Sequence, residues 1–133
     1  MSRKAVLEPV YITATAATPL LDPKLGQKTN SPPTQSLASS FNTVSTSVKY
    51  SDNLSYQINW TTTNSVGAFQ LQGSNDNSTF TNLIACGTVS AASDTAMVNI
   101  NQFPFAYMRL AYTSTTAGTG TCTIVLMGRS IGA

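Results

Sequence analysis

A catalytic or metal site needs ionisable or nucleophilic side chains at workable spacing, and this chain supplies few. Histidine is absent, which removes the commonest general base, the commonest metal ligand and the centre of a Ser-His-Asp triad. The carboxylates are Glu8, Asp22, Asp52, Asp76 and Asp94. Two such groups can hydrolyse a glycosidic bond when they flank a cleft and burial raises one pKa, but these five fall on expected loops or on the N-terminal segment. Asp76, between Asn75 and Asn77, could offer oxygens to Ca²⁺; the stretch lacks the carboxylate density of an EF-hand, and a turn is the simpler reading. Cys86 and Cys122 have no CxxC spacing and no histidine to work with, so they are expected to be reduced, buried strand residues. Gly118-Thr119-Gly120 lacks the third glycine and following helix of a phosphate loop and reads as a turn. Tyr50, Phe80 and Tyr107 could stack on sugar rings, against the plainer alternative that they serve the core or a subunit contact. The expectation is a protein that is not an enzyme and carries no cofactor and no metal.

The elements that would hold these residues follow from composition and periodicity. The 133 residues fit one domain, large enough to bury a single core. Charged residues make up 9% of the chain, against roughly a quarter in an average soluble domain. About a quarter of the residues are Ser or Thr. Hydroxyls and amides must therefore carry the wet surface, which suits strands better than helices. A hydrophobic content of 41%, with five Phe, five Tyr and Trp60, argues for a packed core rather than disorder. Seven bases and five acids, scattered singly, give a net charge of +2. No basic stripe could track a phosphate backbone, so nucleic acid is not expected as the main partner. No apolar run approaches a membrane span, and the first nine residues lack a signal-peptide hydrophobic region, so the product is expected to stay where it is made and to avoid membranes.

Residues 8–16 read as a short strand. From 17 to 35 the chain carries Pro19, Pro23, Pro32, Pro33 and Gly26, too many breakers for a helix or a central strand. Residues 1–35 are thus expected to form an extended N-terminal arm and 36–133 the folded body. A long irregular segment calls for a reason, and docking onto a partner supplies one. The candidate partner-binding residues are Arg3, Lys4, Tyr11, Pro19, Leu20, Leu21, Pro23, Lys24, Pro32 and Pro33. On this reading, deletion of 1–35 leaves a folded body that no longer assembles.

Beyond the arm, apolar residues alternate with polar ones at a period of two. In 53–61, Leu54, Tyr56, Ile58 and Trp60 share one face. In 66–73, Phe69 and Leu71 point inward, and the intervening 61–65 turn makes the two an expected antiparallel hairpin. Asn75, Asp76 and Asn77 mark a reversal. Further strands are expected at 79–85, 96–100, 105–113 and 121–128, with loops at 87–94 and 114–120. In 105–113, Met108, Leu110 and Tyr112 fall on one side and Arg109 on the wetter one. Residues 36–50 suggest one or two strands. The fold class is all-β: an antiparallel β-sandwich or jelly-roll-like barrel.

Three runs carry a resemblance: Leu71-Gln72-Gly73-Ser74-Asn75-Asp76-Asn77-Ser78-Thr79-Phe80, then Phe103-Pro104-Phe105-Ala106-Tyr107-Met108-Arg109-Leu110, then Gly118-Thr119-Gly120-Thr121-Cys122-Thr123-Ile124. Over approximately residues 50 to 130 the chain resembles small β-sandwich proteins encoded among the structural genes of tailed bacteriophages. Related loop-and-strand patterns occur in discoidin-like carbohydrate-binding modules. The phage resemblance implies a virion component made in the host cytoplasm, either a capsid decoration or cement protein or a tail, neck or fibre adaptor. It implies the major capsid protein or other virion subunits as partners, homo-oligomerisation, and no catalytic residue. A carbohydrate-binding β-sandwich module is the third reading.

Overall fold

The computed structural model describes residues 4–20, 32–49, 51–101 and 103–130. Two-residue alternation governs the long strands: in Asn53–Thr61 the buried side chains are Leu54, Tyr56, Ile58 and Trp60, and in Val66–Ser74 Phe69 and Leu71 turn inward. A strand with one apolar face has to cover it, and here two antiparallel sheets cover each other. The first sheet runs β2 (Ala17–Pro19), β1 (Lys4–Ile12), β11 (Thr121–Ser130), β6 (Asn53–Thr61), β9 (Asp94–Asn101), with β3 (Gln35–Ser36) also on β11. The second runs β4 (Phe41–Asn42), β10 (Tyr107–Thr116), β7 (Val66–Ser74), β8 (Thr81–Ser90), with β5 (Thr46–Ser47) also on β10. Among the described residues no strand pair joins the two sheets, so the fold is an open sandwich and not a closed barrel. These residues contain no helix long and apolar enough to cross a membrane.

The core lies between the sheets. Trp60 of the first sheet stands 5.9 Å from Phe69 of the second, and Phe69 in turn 4.8 Å from Tyr112. Ile58, Leu71, Leu110, Ile124 and Leu126 fill the space around them. Each fully buried aliphatic or aromatic side chain contributes roughly 1.5–3 kcal/mol by transfer from water. Phe105, where a strand was expected to start, is half-buried ahead of β10 and stacks on Phe103 at 5.2 Å. Cys86 and Cys122 are free and buried, as expected.

The structure corrects the hairpin expected from 53–73. β6 pairs with β11 and β9, whereas β7 pairs with β10 and β8, so the link between them crosses from one sheet to the other. Thr62 Oγ1 accepts from the backbone N–H groups of Asn64 and Ser65, and the Ser65 hydroxyl donates to the Ala117 carbonyl while accepting from Gly120 N–H. These bonds tie the crossing to the β10–β11 turn, where Gly118 takes φ +60°. The expected 87–94 loop is shorter than its composition suggests, because β8 continues to Ser90. Gly87 permits this: it sits at φ +138°, and a Cβ there would stand 3.2 Å from the Ala96 methyl. Where one or two strands were expected over 36–50, residues 35–47 form three two-residue strands, each stitched to a longer neighbour.

Of the expected N-terminal arm, residues 4–20 and 32–35 are described, and 4–20 contribute two strands, while 1–3 and 21–31 lie outside the described residues. β1 starts earlier than the strand expected at 8–16 and pairs along β11, from Lys4 opposite Ser130 to Tyr11 opposite Val125. Ala17–Pro19, placed in the arm by its composition, returns along β1 as a short strand after a turn in which Thr13 Oγ1 accepts from Ala16 N–H. Ile12 is a core residue.

Candidate docking surfaces

The groups with chemical potential are occupied by structural tasks. The Asp76 carboxylate accepts hydrogen bonds from the Thr79 and Ser78 N–H groups at 2.8 and 2.9 Å and from the Ser74 hydroxyl at 2.9 Å. Those donors, Thr79 foremost, hold its pKa down to about 2. This is a capped turn, built by the Asn-Asp-Asn run seen in the sequence. Burial pushes the Cys86 thiol up to about 11 and the Cys122 thiol up to about 12, which leaves almost no thiolate at neutral pH. Among the described residues no group of three or more His, Cys, Asp or Glu side chains is placed to hold a metal ion.

The expected partner-binding residues are described only in part. Arg3, Leu21, Pro23 and Lys24 lie outside the described residues. Lys4 opens β1. Tyr11 is buried, only 6% exposed, on β1 opposite Val125 and Thr18. Pro19 is exposed on β2 opposite Val10, and Leu20 N–H donates to the Pro9 carbonyl at 3.1 Å. Pro32 is exposed and Pro33 half-buried ahead of β3.

What the structure brings forward instead is an asymmetry between the two sides of the sandwich. One side ends in short pieces: three residues with a proline in β2, and two residues each in β4 and β5. The other ends in β9, eight residues long, and β8, ten residues long, and Asp94 is the one charged residue in either. Neither contains proline. One end of this long side is closed, since the Trp60 indole donates to the Ala92 carbonyl at 3.0 Å and Thr62 N–H donates to the Ser93 hydroxyl at 3.1 Å. The other end is open. Every residue from Thr81 to Ala85 is exposed, Leu83 and Ile84 included, and Met97 of β9 is 57% exposed. Leu83 and Phe105 form the apolar side of a cleft of about 340 Å³ whose polar side is Asn75, Asp76 and Thr79.

A second surface occupies the outer face of the second sheet. Arg109, Gln72 and Asn82 sit in cross-strand register on β10, β7 and β8. Arg109 Nε donates to Gln72 Oε1 at 2.8 Å, and Gln72 Nε2 donates to Asn82 Oδ1 at 2.8 Å. The guanidinium carbon lies 3.9 Å over the Phe80 ring, and Lys49 Nζ lies 5.4 Å over Tyr107. Partial burial lowers the Arg109 pKa. Arg109 was legible as an outward residue. Its anchoring partners were not, because the register linking three strands is a tertiary fact. Leu83, Ile84 and Met97 escaped sequence reasoning too, although the run across 81–101, with Asp94 as its one charged residue, was the signal that could have found them. Tyr50, named beside Phe80 and Tyr107 for sugar stacking, lies outside the described residues. Comparison of the chain with protein-family models, curated proteins and solved structures finds no match.

Proposed function

We propose that this chain is a non-enzymatic structural module that docks onto other protein subunits along its β8–β9 side. The observation that carries the reading is the unguarded length of those two edge strands. An edge presents a row of unpaired N–H and C=O groups, and proteins that stay monomeric blunt such rows with proline, lysine or brevity. Here the β2–β4–β5 side follows that rule and the β8–β9 side departs from it, while Leu83, Ile84 and Met97 add apolar area where a partner strand would lie. Strand addition supplies main-chain hydrogen bonds, and the open cleft by Phe105 supplies a pocket for a side chain. With the phage resemblance of the three motif runs, the reading becomes a virion structural protein, a decoration or cement subunit on the capsid exterior with the major capsid protein as partner.

The test is incorporation into purified particles. Ile84→Lys combined with Met97→Lys places charges on both exposed edges without touching a buried side chain. The expected outcome is an unchanged melting temperature and loss of the protein from particles. Full occupancy by the double variant would refute the edge assignment. Copy number divides the virion readings: a count that scales with the capsomers fits decoration, and a count matching one vertex fits a neck or tail position.

A further inference from the structure

We infer that the outer face around Arg109 is a receptor for the carboxylate of an acidic sugar, a uronate or sialate unit of a glycan. This goes beyond the docking reading and uses the opposite part of the sandwich from the exposed Met97 of β9.

The case rests on how the guanidinium is held. A surface arginine ordinarily samples many rotamers, and fixing them costs affinity when a ligand binds. Arg109 is fixed in advance from two directions: Phe80 lies against its flat face, and Gln72 takes the Nε proton. Gln72 is itself oriented, because its amide nitrogen donates to Asn82. With Nε engaged, the two terminal nitrogens remain as a parallel pair of donors, the fork that matches two carboxylate oxygens. Among the described residues nothing acidic pairs with this fork: Arg109 bonds to a neutral amide, and Asp76, on the neighbouring loop, takes hydrogen bonds from Ser74, Ser78 and Thr79 on its Oδ1. A half-buried cation held by neutral groups alone is short of a counter-charge, and an incoming carboxylate supplies one.

The surroundings favour a sugar over a protein side chain. Neighbouring positions on this face are Gln70, Gln72, Asn82 and Ser47, all able to bond hydroxyls, and Ala111, which is small. No large aliphatic side chain stands among these positions; the aromatic ones on this face are Phe80 and Tyr107. Phe80 and Tyr107 each have a cation over one face, so the carboxylate contact, rather than open-ring stacking, is the anchor.

The experiment is an NMR titration of the full chain, following the Arg109 Nε and the Gln72 and Asn82 side-chain amides. The probes are glucuronate, N-acetylneuraminate, glucose and a blocked glutamate (acetyl-Glu-amide). Saturable shifts with either acidic sugar, at least about tenfold weaker with glucose, are expected, as one charged hydrogen-bond pair is worth roughly that factor. Arg109→Gln should abolish them. Gln72→Glu places an internal carboxylate beside Arg109; it should keep the fold and its melting temperature yet lose the shifts, a result a merely structural Arg109 would not give. Equal binding of glucose, equal binding of acetyl-Glu-amide, undiminished binding to either variant, or no saturable binding at all would each overturn the assignment.

Discussion

Tyr56 and Tyr112 bury their hydroxyls in the core without a hydrogen-bond partner among the described residues. Burial raises the pKa of both, so each phenol stays protonated and each O–H is left unsatisfied. Their rings serve packing: Tyr112 stands 4.8 Å from Phe69 and 5.5 Å from Phe41. The hydroxyls add nothing to it. Tyr56→Phe should therefore be neutral or stabilise by up to about 1 kcal/mol, since removing an unpaired buried polar group relieves its desolvation cost. Urea denaturation followed through Trp60, the one tryptophan, measures this directly; a loss of more than about 1 kcal/mol would mean the hydroxyl has a partner after all.

At the level of elements, the 74–79 turn is the clearest case of a loop organised by one side chain. Asp76 has its pKa depressed from 3.8 to about 2 because the carboxylate is stabilised by hydrogen bonds in the folded chain. A depressed carboxylate contributes stability that is complete above its unfolded pKa and is lost as pH falls through the folded one. The turn should therefore hold down to about pH 4 and loosen toward pH 2. The Ser78 and Thr79 amide resonances should titrate together with a midpoint near pH 2, and Asp76→Asn should remove that titration; a midpoint near pH 4 would refute the capping role. This turn was plain in the sequence, as were the inward faces of β6, β7 and β10, because both follow from chemistry within a few residues. Strand pairing was not. A hairpin and a sheet-to-sheet crossing give β6 and β7 the same alternation; the pairing of each with other strands, and the bonds of Thr62 to Ser93 and of Ser65 to Ala117, distinguish them. The proline-dense composition around 17–35 likewise hid β2 and β3, which exist because a longer strand offers an edge to pair with. The Arg109 relay was invisible for the same reason, joining residues up to 37 positions apart.

For the molecule as a whole, the decisive contact is the pairing of β1 with β11. It makes the first strand part of the sandwich, so removal of residues 1–35 should expose the edge of β11, delete Ile12 from the core and cost more than about 3 kcal/mol, within the range for losing a large buried side chain with its backbone ladder. A truncated chain that melts with the full-length protein would contradict this, and circular dichroism would show it at once. The same pairing imposes an order on biosynthesis. Of the described strands β1 is made before all the others and its mate β11 after them, so while the intervening strands are synthesised Ile12 and the β1 backbone wait without that neighbour. Closing so long a loop is slow, and an uncovered strand is prone to stray pairing in the meantime.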